Sequence, residues 1–212
     1  MAVLFIDNKI ATEQVESEIF QFAQALTADV LRGLKDEARR NQVIFFLRSL
    51  TLTETETVEP DRVSSLLRGI HLDRAELRNL QAPYANFTHA HLIRANLRGA
   101  IFTGANLQGA YLEKADLTGA YLERAYLYGA HLNGAYLEGA YLVGANLVEA
   151  NLRAAKLIGA HLEGASLEGA NLEGADLTNA NFRGANLNGA FFENALFRNT
   201  TMPDGRLQDG DR

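Results

Sequence analysis

The sequence predicts a solenoid capped by a short helical segment, and three observations carry that prediction. From Ala85 to Ala195 an alanine stands at every fifth residue, and an apolar residue, Leu or Phe, follows each two places later, from Phe87 to Phe197. Two places after each of these, from Gly99 to Gly189, the residue is glycine 14 times, and Asn179, Asn194 and Asn199 fill the same place elsewhere. Residues 1–60 lack the repeat and show helical periodicity instead. A five-residue unit is too short to bury its own leucine and has to stack on others.

A period of five fits no straight element. On an α-helix it advances the leucines by about 140° per unit, so they form no stripe. On a straight strand it sends alternate leucines to opposite faces. Both outcomes put half the leucines in water. The pattern is satisfied when the chain bends once per unit, and the Gly or Asn position is where it does so, because these residues enter turn and positive-φ conformations most readily. The leucines then point inward, and the alanines mark a second inward position with room for a methyl group.

Before the repeat, residues 12–52 divide into three expected helices. The first has Val15, Ile19, Phe22, Ala23 and Leu26 on one face, with Thr12 as N-cap. A second runs from Ala28 to about Lys35 despite Gly33. A third covers Glu37–Leu50, with Val43, Phe46, Leu47 and Leu50 on one side and Ile44 and Phe45 on another, a breadth of apolar surface that suggests a sandwiched helix. Residues 1–60 thus form an α-helical cap segment, closed by the Thr/Glu-rich stretch Thr51–Pro60. Ile44 and Phe45 either face the first coil, the preferred reading, or pair two chains.

The repeat region is 61–202. It starts faintly near Ser65 and continues through Ile70–Leu72 and Ala75–Leu77; at Leu80-Gln81-Ala82 large and small residues trade places, conserving volume. Thr200–Met202 is a last imperfect unit, Pro203-Asp204-Gly205 reads as a terminating turn, and the tail 203–212 is expected to fray.

Units such as Ala105-Asn106-Leu107-Gln108-Gly109, Ala115-Asp116-Leu117-Thr118-Gly119 and Ala175-Asp176-Leu177-Thr178-Asn179 resemble the A-(D/N)-L-x-x motif of the pentapeptide-repeat family. The resemblance covers residues 65–202. It implies a mainly β fold, a right-handed quadrilateral parallel β-helix with four units of the repeat in each coil. With coils about 4.8 Å apart, residues 85–199 then make a rod of about 28 Å.

Composition narrows the function. The net charge is −6, with neither half basic, so no footprint for nucleic acid is present and anionic membranes are disfavoured. Cysteine is absent, which removes disulfides and thiolate chemistry. No signal segment or 18-residue apolar run is seen, and a cytoplasmic protein is expected. No phosphate-binding, zinc-protease or serine-hydrolase motif occurs. The glycine-containing units recur too regularly to be phosphate loops. The slot that Asp116 and Asp176 fill holds Asn elsewhere, so it serves hydrogen bonding rather than proton transfer. His89 and His91 occupy bend and outward slots and diverge. By the implied four-unit coil, His91, Tyr111 and His131 stack on one face, leaving the two histidines about 10 Å apart, too far to share a metal. No enzyme activity, cofactor, metal or small-molecule substrate is expected.

Six of the seven tyrosines lie between residues 111 and 141. The coil rule stacks Tyr121 on Tyr141, with Val143 beside them, and puts Tyr126, Tyr128 and Val148 around the next corner. These six residues are either a binding patch for an unidentified protein partner or aromatic ladders that stabilise stacked strands. Phe191 and Leu196 fill outward slots near the C-terminal end, where the tail covers them or two rods meet, as in some family members that dimerise through an end. The expected function is a non-catalytic scaffold presenting a rigid surface for protein–protein interaction. The alternative is a DNA mimic modulating a type II topoisomerase, an activity of some family members. Duplex DNA would carry about 16 charges over such a rod, against 10 acids and 8 bases in residues 85–199.

Overall fold

Residues 21, 23–49 and 67–210 are described in the computed structural model, with the side chains of 46–49 excepted. Thr12, Val15, Ile19 and Phe22, the side chains of Phe46 and Leu47, Leu50, the Thr51–Pro60 stretch and the faint first units before Leu67 therefore lie outside the described residues.

The bend is realised at every unit. Each fifth residue from Gly69 to Asn199 has φ between 51° and 70°. Glycine takes this conformation without a Cβ penalty, yet Arg74, Tyr84, His89, Lys114, Glu149 and Ala154 adopt it too. Bending four times returns the chain to its start: parallel bridges join His71 to His91, Glu76 to Asn96, Gln81 to Ile101 and Asn86 to Asn106, and continue at the same spacing to Asn181 and Thr201. Each side of the four-sided coil contributes one bridged residue rather than a long strand.

Three backbone hydrogen bonds per unit run between coils and one within. In the unit centred on Leu72, the Leu72 N–H donates to the His91 carbonyl at 2.7 Å and the Arg74 N–H to Ile93 at 2.9 Å. The His91 N–H returns to Ile70 at 2.8 Å, and the Ala75 N–H closes the corner on Leu72 at 3.1 Å. The N–H just after the central apolar residue has no place in this scheme. Where the outward slot holds Asn or Asp, its Oδ1 takes that N–H: Asn106 from Gln108 at 3.0 Å, Asn146 from Val148 at 3.1 Å, Asp176 from Thr178 at 3.0 Å. Amide and carboxylate share this oxygen, so the slot accepts either.

Inside, the apolar centres from Leu67 to Phe182 and the alanines between them are buried, as are Leu80 and Ala82 in their exchanged positions. The column loosens at the last coil, where Leu187, Ala190 and Phe192 are partly buried.

The helical segment differs from expectation. Residues 23–33 form one helix, α1, that runs through position 27, where the sequence suggests a break. Leu26 is 54% exposed, and Ala28 and Leu31 are buried instead. The expected face follows the apolar residues upstream, whereas the buried one is set by contact with the coils. Helix α2, Glu37–Ser49, starts where expected, with Asp36 as N-cap accepting from the Ala38 and Arg39 N–H groups at 2.9 and 3.3 Å. Ile44 is fully buried, but Phe45 is 68% exposed, so only one of the pair faces the coil.

Both helices meet the first coil through polar side chains. Gln24 donates to the Arg68 carbonyl. Arg40, 5% exposed, donates to Leu34 and Lys35 carbonyls at the helix junction and to Arg78 in the coil. Asn41 Oδ1 accepts the Gln81 N–H at 2.9 Å, and Asn79 Nδ2 donates to Glu37 at 3.0 Å. In later coils the groups at the Arg68, Arg78 and Gln81 places pair with neighbouring backbone, as at Thr88, Arg98 and Ile101. Among the described residues no helix is long and apolar enough to cross a membrane.

The tail is not frayed over its described part. Strand β1, Thr200–Thr201, pairs antiparallel with β2, Leu207–Gln208. The Thr200 hydroxyl, fully buried, donates to the Leu177 carbonyl at 2.8 Å, and the Gly210 N–H donates to Phe197 at 2.8 Å. The Pro203–Gly205 turn thus starts a hairpin rather than ending the structure.

Leu127→Ala, mid-rod, is expected to lower stability to urea by about 2–5 kcal/mol. Ala154→Gly should raise it by about 0.5–1 kcal/mol, because alanine at φ +53° carries left-handed strain. Gly139→Ala, with φ +61° and nothing near its added Cβ, costs a similar net amount, the left-handed strain less what alanine removes from the entropy of the unfolded chain. Burial, the largest influence on Asp116, opposes its ionisation, but bonds from the Thr118 hydroxyl and N–H and from Arg98 outweigh it and hold the carboxyl below its ordinary range. That stability is present above the ordinary Asp value and is lost as pH falls through the lowered one. Comparing unfolding at pH 6 and pH 2, the wild type therefore loses more than Asp116→Asn does, by at most about 1 kcal/mol given the solvent screening.

Candidate functional site

The outward slot returns to the same side of the rod once per coil, so like residues there become ladders. Tyr121 stacks on Tyr141 with ring centroids 5.0 Å apart and an interplanar angle of 5°. His161 extends the stack at 4.8 Å from Tyr141, and Ile101 bridges to Tyr121 at the other end. Around the corner, Tyr126 is 56% exposed between Asn106 and Asn146. Tyr128 donates its hydroxyl to Glu149 at 2.8 Å, and that bond, with the nearby carboxylate charge and slight desolvation, pushes the phenol above its ordinary range. Val143 is exposed and Val148 half-buried. The six residues named from sequence thus occupy adjoining sides of the rod, with Tyr121 and Tyr141 in direct contact. The two readings of them are not exclusive: the stacked pair is a ladder that also keeps two ring edges in water. On another side, Lys156 lies over the Tyr136 ring, 5.1 Å from its centroid.

A second ladder holds the histidines. His91 stacks on Tyr111 at 4.6 Å and Tyr111 on His131 at 4.9 Å, in the expected order. The sequence expectation compares His91 only with His89, which diverges from it, and with His131, two coils on, and leaves out His71, which stands one coil before it. The two imidazoles stack at 4.1 Å. Asp73 lies beside them, and one ligating atom from each of His71, Asp73 and His91 falls within 4.8 Å of the others. Burial, and then His71, lower the His91 pKa; Asp73 and Glu113 act in the opposite direction. The signal for this cluster is present in the four-unit step, as it is for His161 above Tyr141. His89, as expected, turns elsewhere: its ring lies over Gly109, where an added Cβ would meet Nδ1 at 2.5 Å.

At the C-terminal end Phe191 is 62% exposed and Leu196 half-buried. The Gly210 N–H, just past β2, bonds the Phe197 carbonyl, and Phe191 stays open. Two open clefts lie where α2 meets the first coil. One is lined by Lys35, Glu37, Arg40, Glu76, Arg78 and Asn79, and the other includes Phe45, Gln81 and Pro83. Among the described residues, neither has a serine, threonine or histidine in its lining.

The model of pentapeptide repeats matches this chain in eight copies, over residues 84–119, 120–157, 145–184 and 175–209. Among solved structures, HetL is similar. It is a pentapeptide repeat protein involved in heterocyst differentiation regulation from the cyanobacterium Nostoc sp. strain PCC 7120. The identity is 34%, covering 65% of this chain and 76% of that one, with a TM-score of 0.34. A pentapeptide repeat protein from the Arabidopsis thaliana thylakoid lumen is 38% identical, covering 44% of this chain and 65% of its own, with a TM-score of 0.43. QnrB1, a plasmid-mediated fluoroquinolone resistance protein, is 21% identical, covering 57% and 72%, with a TM-score of 0.32. No curated protein matches the chain. Unit for unit, from the alanine column to the bend two places past each leucine, the chain belongs to the pentapeptide repeat family.

Proposed function

We propose that the protein is a non-catalytic, cytoplasmic scaffold that presents a rigid, aromatic-lined surface to another protein. The observation that carries this reading is the Tyr121–Tyr141–His161 stack with Tyr126 and Tyr128 exposed around the corner. Rings locked by stacking on a hydrogen-bonded coil lose little freedom on binding, which is what an interaction hot spot needs. Val143 and Val148 add aliphatic surface to the same region.

The rest of the chain serves that surface. The rod winds right-handed, as the family resemblance implies, and the segment 1–60 caps its first coil. In support, side chains of Gln24, Arg40 and Asn41 bond the open-edge groups of Arg68, Arg78 and Gln81, standing in for the backbone of an earlier coil. At the other end, Phe191 with the partly buried Leu187 and Phe192 offers a site where two rods join. The DNA-mimic reading is weaker, because Arg98–Asp116 at 3.3 Å and Arg153–Glu173 at 3.0 Å interrupt any continuous acidic stripe.

The combined variant Tyr121→Ser, Tyr141→Ser, Val148→Ser is expected to retain a folded rod by circular dichroism and to lose a partner that the wild type captures from its native host. Recovery of the same partners by the folded variant removes this surface from the account.

A further inference from the structure

We propose that His71, Asp73 and His91 form a binding site for one divalent transition-metal ion. The donors are two imidazole nitrogens and one carboxylate oxygen, all within 4.8 Å of one another. A tetrahedral ion with bonds of about 2.0–2.2 Å holds its ligands about 3.3 Å apart. Closing from as much as 4.8 Å requires each donor atom to move by about an ångström or less, and the two imidazoles, stacked with their planes 23° apart, have to turn out of the stack so that their in-plane lone pairs converge on the ion. His71 and Asp73 are exposed, and rotation about their own bonds supplies most of that movement.

The backbone brings the donors together before any ion arrives. The parallel bridge between His71 and His91 fixes their spacing at one coil, and both rings leave the same outward slot. Asp73 is two places past His71, on the same side. Its Oδ1 accepts the Ile93 N–H at 2.8 Å, the N–H that an Asn or Asp in the slot would otherwise take. Because that slot is occupied by His91, the carboxylate of the preceding coil takes the bond and is oriented by it. On the far side of His91, Tyr111 stacks against the imidazole, so His91 keeps more nearly in place and the exposed His71 makes the larger movement. Backbone and neighbouring groups that orient ligands in this way are what metal sites use outside the ligand set itself.

Asp73 brings a carboxylate to the donor set. Glu113 follows Tyr111 in the next coil, and its Oε2 is buried without a hydrogen-bond partner among the described residues. A set of two imidazoles and one carboxylate suits borderline divalent ions such as Zn2+, Co2+ and Ni2+, and three protein donors leave a position for water. An ion here would clasp the first described coil to the next, about two and a half coils along the rod from the Tyr121–Tyr141 stack and on the opposite side. It is independent of the scaffold reading.

The test is isothermal titration of the untagged full chain with Zn2+, repeated on single variants. The expected result is one Zn2+ per chain in the micromolar range, weakened at least tenfold by His71→Ala, by His91→Ala and by Asp73→Asn, and unchanged by His89→Ala or His131→Ala. A rise in melting temperature with Zn2+ should vanish in the same three variants. These side chains lie outside the apolar column, and circular dichroism confirms that each variant folds. A second measurement needs no variant: Co2+ should broaden the imidazole proton resonances of His71 and His91 before those of His161. Absence of binding at millimolar Zn2+, equal binding by His71→Ala and wild type, or equal broadening at His161 would each overturn the assignment.

Discussion

One constraint governs this molecule: the chain must turn by the same amount at every fifth residue, so that four turns bring it back in register with itself. The turn is a single backbone conformation with φ near +60°, and it holds even where the residue is Arg, Tyr, Glu or Ala. Each such residue carries left-handed strain of about 1–2 kcal/mol. The coil retains them because neighbouring units over-determine the bend. Three inter-coil hydrogen bonds and a buried leucine per unit fix the geometry from both sides. Strain at one corner is therefore tolerated in a way that an isolated turn would not allow.

The same constraint turns single residues into surfaces. Whatever stands in an outward slot meets its counterpart four units on at one coil's distance. Tyrosine above tyrosine becomes a ladder, and histidine above histidine becomes a pair of donors. Polar residues in the slot do something more local, because Asn and Asp bond the one N–H the coil leaves over. Function and stability thus compete for the same position: each His or Tyr in the slot gives up that bond. At Ile93 the structure shows the conflict resolved, with Asp73 of the preceding coil supplying what His91 cannot.

The strictness of the repeat makes most of this legible in the sequence. The inward columns and the bend positions follow from counting in fives, and the Tyr121–Tyr141 and His91–Tyr111–His131 stacks follow once the family resemblance supplies four units per coil. The helical segment is less legible, because no repeat restrains it. Its buried face depends on which residues meet the first coil, and Leu26, Ala28, Ile44 and Phe45 cannot be sorted by helical period alone. The tail departs from expectation for a related reason: Pro203-Asp204-Gly205 does mark a turn, but whether a chain returns after a turn depends on the edge waiting for it, here Thr200–Thr201. Of the His71–His91 pair, His71 lies in an imperfect early unit, where Ile70 stands in the alanine place, and His91 lies in the strict run; the same rule that stacks His91 on Tyr111 locates the pair.

The absence of cysteine allows a direct test of the four-unit return. Two cysteines placed at Asn151 and Asn171, bridged neighbours in adjacent coils, should have Cα atoms about 4.8 Å apart, within the range a disulfide spans. Mild oxidation of the dilute double variant should close that bond within the chain in near-quantitative yield, while a pair at Asn151 and Ser166, three units apart and on different sides, stays reduced. Crosslinking of the three-unit pair in preference to the four-unit pair would mean that the chain does not return to itself after four units, and the coil described here would be wrong.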